Sequence, residues 1–309
     1  MAKFRAAVGD EASFLEELFD HGLLLRTGAP GLYGRGPVFE DVRERFDALV
    51  TRVAAPAVSE SLRFPPLLPR RQLESAGYLD AFPHLAGTIF AFDGSEADAM
   101  ELSERAARHE DWSQYQTMTD LVLAPAACYP VYPAIAARGP LPAGGTTVDT
   151  GGACVFRHEP SGDPARQQMF HMREIVRIGE PSAVAAWRET WRDHAVEILQ
   201  RVGLDSELAV ASDPFFGRPG RMLAASQRAQ ELKFELSIAV ASPEPTAVAS
   251  FNYHQEHFAQ SFGIELADGG VAHTACLGFG LERITLGLLR RHGLDPRRWT
   301  GAVRDELWG

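Results

Sequence analysis

The chain has 309 residues, 45% of them hydrophobic and 23% charged, which is enough apolar material for a large core and excludes low complexity and global disorder. No run of roughly 18 uncharged apolar residues occurs, so no membrane-spanning helix is expected. Thirty basic against 41 acidic residues give a net charge of −11, which argues against a nucleic acid gripped through the field of the whole protein.

The N-terminus, Met1-Ala-Lys-Phe-Arg, has no apolar signal region, and a cytoplasmic location is expected. Residues 10–20 read as a short helix with Asp10 as its N-cap. Residues 27–37 hold four glycines and two prolines and read as a loop. Residues 38–60 carry a helical pattern, with Val38, Val42, Phe46, Val50 and Val53 three or four apart, and Phe64-Pro65-Pro66 ends that unit. Residues 95–110 read as an exposed, charged helix. From about 120 onward short apolar segments alternate with turns. Strands over 152–159 and 173–178 flank the polar loop Pro160-Ser161-Gly162-Asp163-Pro164 and form a hairpin. An amphipathic helix covers 183–202 and stops at Gly203. Strands follow at 208–212, 233–240, 247–253 and 271–277, then a helix over 278–292 closed by Gly293. This order predicts an α+β fold with an antiparallel sheet flanked by helices, in one domain over 1–309 with 1–37 as a helix-and-loop extension.

Two segments carry chemistry. Gly278-Phe-Gly-Leu-Glu-Arg283 leaves a strand and opens a helix, but Arg283 replaces the third glycine of a dinucleotide fingerprint and no βαβ unit precedes it. Backbone N–H groups at a helix start and an arginine one turn in favour an anion, although a plain strand-to-helix turn with a surface arginine has the same pattern. Neither lysine, Lys3 or Lys233, lies in a P-loop, so nucleotide phosphates would fall to arginine. In Phe156-Arg157-His158-Glu159, the arginine and glutamate share one face of a strand and suit a phosphate and an amine. A cross-strand ion pair on a solvated face would look the same. Arg166, Phe170 and Glu174 follow. The three cysteines, Cys128, Cys154 and Cys276, are too few and scattered for a disulfide framework. Metal candidates are these cysteines, the His273-x-x-Cys276 pair and the His254-x-x-His257 pair, against buried thiols and polar loop histidines. Strand alternation turns Cys154 away from Arg157 and Glu159, into the core.

Phe-Arg-x-Glu on a strand, a long loop and Phe170 on the return resemble motif 2 of the class II aminoacyl-tRNA synthetases, and Gly-x-Gly-x-x-Arg resembles their motif 3. The resemblance implies that Arg157 holds the α-phosphate of ATP, Glu159 the adenine amino group and Arg283 the γ-phosphate, with Phe170 stacked on adenine and Arg166 and Gly280 in the same site. The 38–60 helix with Phe64-Pro65-Pro66 is the candidate for motif 1, which forms a homodimer interface in that superfamily. Over residues 40–309 the chain is most similar to the methanogen-type seryl-tRNA synthetases and their truncated bacterial homologues, the amino acid:[carrier protein] ligases. Ala126-Ala-Cys-Tyr-Pro-Val-Tyr132, Ala211-Ser-Asp-Pro-Phe-Phe216 and the segment from Ala249 to Phe258 also match.

In that group an active-site zinc is held by Cys, Glu and Cys, here Cys128, Glu174 and Cys276, with an open position for the substrate amine. ATP with Mg²⁺ would activate glycine or alanine, and the adenylate would pass to the 4′-phosphopantetheine thiol of a holo carrier protein. Glu235, Ser250 and Asn252 would contact Mg²⁺ or substrate, and Asp213 would reach the substrate. Ala247 stands where the seryl enzymes carry a glutamate. The stretch before residue 40 is too short for a tRNA-binding domain, so no tRNA is expected. An acidic carrier would dock on Arg290-Arg291, Arg297-Arg298 or Arg218 and Arg221. Three other readings are a tRNA-charging enzyme, a non-catalytic amino-acid- or nucleotide-binding paralogue, and a structural zinc protein whose fourth ligand is His273.

Overall fold

Phe14 and Leu18, one turn apart on α1 (Glu11–Asp20), are both buried, so the first helix is part of the main core. The computed structural model describes residues 11–241 and 244–309, and the Asp10 cap lies outside the described residues. Strands β1 (Leu24–Arg26) and β2 (Tyr33–Arg35) pair antiparallel, Leu24 opposite Arg35. The glycine-rich stretch expected to be a loop is therefore partly a hairpin. Three-residue strands are too short to show an alternating pattern. Helix α2 (Pro37–Ala54) starts with proline in its first turn and buries Phe39, Val42, Phe46, Leu49 and Val50. Val38, expected on that face, is exposed, and the helix stops at Ala54 rather than 60 because Pro56 sits in the following 3-10 turn.

Next come β3 (Glu60–Ser61), β4 (Leu67–Pro69), α3 (Arg70–Ser75), α4 (Tyr78–Ala81), β5 (Thr88–Phe92), α5 (Glu96–Ala107) and β6 (Gln116–Leu123). Strands β4, β6 and β5 form a small antiparallel sheet. Helix α5 buries no residue and starts in a reciprocal Ser95–Asp98 capping box, the exposed charged helix expected.

The remaining elements are α6 (Val131–Ala136), β7 (Thr146–Phe156), β8 (Met169–Gly179), α7 (Pro181–Arg201), β9 (Glu207–Val210), α8 (Gly217–Ala229), β10 (Lys233–Ile238), β11 (Thr246–Gln255), α9 (His257–Phe262), β12 (His273–Gly280), α10 (Leu281–His292) and α11 (Gly301–Trp308). A seven-stranded sheet runs β3-β7-β8-β12-β11-β10-β9. Its pairs are antiparallel except β3 with β7 at one edge, so the sheet is mixed. Helices α2, α7, α10 and α11 bury one face around Phe46, Trp191, Leu277 and Phe279. Beside the opposite face Val148, Val176 and Ile178 pack with residues of α6 and α9.

Other elements also differ from the sequence reading: β7 spans Thr146–Phe156 rather than 152–159, and β8 spans Met169–Gly179 rather than 173–178. Helix α8 was not anticipated: only Gly220 is buried on it, so it carries no apolar stripe. Strand β12 runs through Gly280, and α10 begins at Leu281 rather than 278. Gly278 and Gly280 are therefore strand residues, not a turn.

Candidate active site

The free face of the large sheet floors a cavity of about 590 Å³. Strand alternation selects its lining: Phe170, Met172 and Glu174 from β8, Cys276, Gly278 and Gly280 from β12, Ser250, Asn252 and His254 from β11, Lys233 and Glu235 from β10. Register aligns them in rows. Glu174, Gly278, Ser250 and Glu235 lie opposite one another across four strands, and Cys276, Asn252 and Lys233 form the next row. A Cβ on Gly278 would meet Glu174 Cγ at 3.3 Å, so the glycine keeps the floor hollow.

At one end Cys128, from the loop before α6, meets Glu174 and Cys276. All three are buried, and their ligand atoms lie within 4.8 Å of one another. Burial and the neighbouring Cys276 push the Glu174 carboxyl up to about 8. The Cys128 thiol, with His254 and Asn252, holds Cys276 well below the ordinary thiol value, while that same hydrogen bond and burial push Cys128 up. Glu174 Oε2 is buried without a hydrogen-bond partner. Three acidic groups and an orphaned oxygen fit a divalent cation, and two sulfurs with one oxygen fit zinc with one position left over.

From the sequence, His254 stood either as a metal candidate paired with His257 or as a polar loop residue. It lies on β11, at a bulge where Tyr253 pairs with Ala275 and Gln255 with Thr274, and Gln255 takes a φ of 54°. Its Nε2 is 3.7 Å from Cys276 Sγ and its Nδ1 3.1 Å from Thr274 Oγ1. Asn252 Nδ2 is 3.5 Å from the same sulfur. His273 alternates to the other face of β12, where its Nδ1 meets the Tyr253 hydroxyl at 2.5 Å, so it does not close the site. Cys154 does face away from the cavity, opposite His171, but it is only half-buried, beside Arg35 and Glu282, and is not a core residue.

The other end is cationic. Arg157 lines the cavity, with its guanidinium carbon 5.8 Å from the centre of the Phe170 ring and Nε donating to Pro125 O at 3.2 Å. Arg283, in the first turn of α10, donates to Ala165 O and Ala247 O, both at 2.8 Å. Burial, then the charges of Arg157 and Arg166, lower its pKa, so positive charge is concentrated where an anion would relieve it. Glu159 does not share this face. Strand β7 ends at Phe156, the backbone turns, and Glu159 pairs with Arg166 at 2.8 Å with both side chains about half exposed. Neither Glu159 nor Arg166 lines the cavity.

Between the two ends lies a cluster that sequence reasoning only partly found. Lys233 Nζ sits 2.5 Å from Asp213 and 3.0 Å from Glu235. The Gln227 side chain of α8 donates to Asp213 Oδ2 through Nε2 and accepts the backbone N–H of Asp213 on Oε1. Burial pushes the Asp213 carboxyl up, but Lys233, Gln227 and Arg157 together hold it below the ordinary value. Burial likewise opposes the Lys233 charge, and the two carboxylates more than offset it. The signal for Lys233 was its place two residues before Glu235 on one strand.

No protein-family model matches the chain. The fold is that of the class II aminoacyl-tRNA synthetases. A crystal structure of M. kandleri SerRS in complex with A. aeolicus tRNASec superposes with a TM-score of 0.81 at 22% identity, covering 99% of this chain and 61% of that one. In sequence the chain is 27% identical over 303 residues to the type-2 serine–tRNA ligase of Methanopyrus kandleri, covering 87% of this chain and 54% of that protein. It is 45% identical over 302 residues to amino acid–[acyl-carrier-protein] ligase 1 of Bradyrhizobium diazoefficiens, covering 96% of this chain and 92% of that protein. The chain belongs to the amino acid–[acyl-carrier-protein] ligase family and is a ligase.

Proposed function

We propose that this ligase activates glycine or alanine with ATP and transfers the aminoacyl group to the 4′-phosphopantetheine thiol of a holo carrier protein. The observation that carries the reading is that one cavity has thiols and a carboxylate at one end and two arginines at the other. That polarity suits an amine-bearing acid beside a triphosphate. Cys128, Glu174 and Cys276 would hold zinc, which supplies an acceptor for the substrate's α-amino group. Arg157 and Arg283 would neutralise the ATP phosphates, with Phe170 against adenine. Glu159 and Arg166 would reach ATP only once their mutual ion pair opens. Glu235 and Ser250, opposite each other on neighbouring strands, with Asn252, would serve Mg²⁺ or substrate. Gly280 leaves room for the phosphates. Asp213, fixed by Lys233 and Gln227, would contact the substrate.

The amino-acid carboxylate attacks the α-phosphorus, its P–O bond forms, and the bond to pyrophosphate breaks. The carrier thiol then gives its proton to solvent, its sulfur forms a C–S bond at the adenylate carbonyl, and the C–O bond to AMP breaks, so that AMP leaves with the electron pair. Neutral charge balance at the arginines lowers the barrier to the first step by positioning and electrostatics.

Of the arginine clusters, Arg218 and Arg221 on α8 suit an acidic carrier best. Both are exposed, and neither makes a hydrogen bond or ion pair among the described residues, while Leu223, Ser226 and Gln227 of the same helix line the cavity. Arg291 and Arg297 are already paired with Asp205 and Asp295. A homodimer built on α2 and the Phe64-Pro65-Pro66 segment, a cytoplasmic setting and the absence of a tRNA partner belong to the same reading. Among the described residues no helix is long and apolar enough to cross a membrane. Mass spectrometry of a holo carrier, its apo form and a tRNA pool after incubation with ATP and each amino acid tests the acceptor. Mass gain on the holo carrier alone is expected. Gain on tRNA alone would replace this reading with tRNA charging.

A further inference from the structure

The N-terminal hairpin touches both segments assigned to ATP. Its turn, between β1 and β2, holds the loop that follows Arg157. Gln168 donates its backbone N–H to Gly31 O at 2.7 Å and its side-chain amide to Pro30 O at 2.9 Å. Gly31 has a φ of 69°, and a Cβ there would sit 3.1 Å from Arg166 O. A side chain there would be strained by the left-handed backbone and crowded by the loop, which favours glycine.

The hairpin's second strand reaches the start of α10. Arg35 is ion-paired with Glu282, whose side chain is 2% exposed, and also lies 2.9 Å from Glu40. Glu282 accepts at 2.7 Å from the backbone N–H of His171, and its other oxygen lies 2.7 Å from His171 Nδ1. Glu282 immediately precedes Arg283, and His171 immediately follows Phe170. One buried carboxylate thus ties the adenine strand, the arginine helix and the hairpin together on the sheet face opposite the cavity. Arg283 in turn donates to Ala165 O, in the loop that Gly31 braces.

We propose that Arg35 and the Pro30–Gly31 turn are positioning residues for ATP, setting the relative placement of Arg157, Phe170 and Arg283. The inference rests on the ATP-activating reading above. Desolvated charge makes the brace strong: without Arg35, Glu282 keeps its burial and loses its countercharge. The effect falls on nucleotide alone, because no group of the brace lines the thiol end of the cavity.

The test is ATP–pyrophosphate exchange by the full chain with Arg35→Gln, Arg35→Lys and Gln168→Ala, alongside thermal melts. Arg35→Gln is expected to raise KM for ATP roughly tenfold, with KM for the amino acid changed less than about twofold. Arg35→Lys, which keeps the charge, recovers part of that loss. Gln168→Ala, whose side chain bonds only at the surface, raises KM for ATP without moving the melt. The brace is overturned if wild type exchanges and the ATP KM of both Arg35→Gln and Gln168→Ala is unchanged, or if Arg35→Gln lowers every parameter and the melt together while Gln168→Ala does nothing. If wild type itself shows no exchange, it is the ATP reading that fails.

Discussion

Glu174 stands where solvation and charge conflict most. Its carboxyl is buried between two thiols, one oxygen unpartnered, and rises to about 8. A cation removes that conflict. Cys276→Ser is accordingly expected to lose bound zinc, read by metal analysis, and to lower amino-acid-dependent exchange on the order of 100-fold. Lys233 and Asp213 make a second buried pair, and their pH dependence has a definite sign. Asp213 is held below its ordinary 3.8, so its stabilisation is present above 3.8 and is lost as pH falls through the lower folded value. Lys233 is held above 10.5, so its part is present below 10.5 and is lost as pH rises through the folded value. Asp213→Asn should lower stability by about 1–3 kcal/mol near neutral pH, and the gap from wild type in melts should close below pH 3.8. Much of this scale was readable. Arg157, Phe170 and Arg283 stand in local patterns, whereas Cys128, Glu174 and Cys276 come together only through resemblance, because the two cysteines lie far apart along the chain. His254 was a metal candidate only as a pair with His257, and its place beside Cys276 was not readable, since the bulge that aims it depends on how two strands pair.

At the level of elements, strongly periodic segments were legible and special ones were not. Helix α7 falls within two residues of its expected span, and the β7–β8 hairpin forms as expected, but its strands run Thr146–Phe156 and Met169–Gly179 rather than 152–159 and 173–178. The β1–β2 hairpin, α8 and the β12–α10 junction were missed or misplaced: the hairpin strands are three residues long, α8 buries only Gly220, and the glycines of the junction were read as a turn although they continue the strand. At Gly220 a Cβ would lie 2.6 Å from the Phe215 backbone, so the helix can pack on that loop only through glycine. Helix α8 also carries the docking prediction. Arg218→Glu with Arg221→Glu should lower carrier loading about tenfold, followed by mass spectrometry, and leave pyrophosphate exchange within about twofold. Loss of exchange as well would place these arginines in the chemistry instead.

For the whole molecule, the α+β class was legible from the order of elements, but the strand order was not. Neighbours such as β8 and β12 are about a hundred residues apart in sequence, and no local pattern specifies such pairings. The N-terminal segment shows the consequence. Read as an extension, it contributes Phe14, Leu18, Leu23 and Leu24 to the main core. Phe14→Ala should therefore cost about 3–5 kcal/mol in denaturant unfolding, as for any filled core position. A cost under about 1 kcal/mol would mean that α1 is not integral. Core and cavity share one scaffold: the sheet aligns Glu174, Gly278, Ser250 and Glu235 across four strands, while Cys128, Arg157 and Arg283 reach the same cavity from loops and the start of α10. The most direct measurement is amino-acid-dependent ATP–pyrophosphate exchange with glycine, alanine and serine, before and after chelation. Exchange with glycine or alanine that disappears on chelation and returns with zinc is expected. Exchange with no amino acid, or exchange indifferent to the chelator, would contradict it.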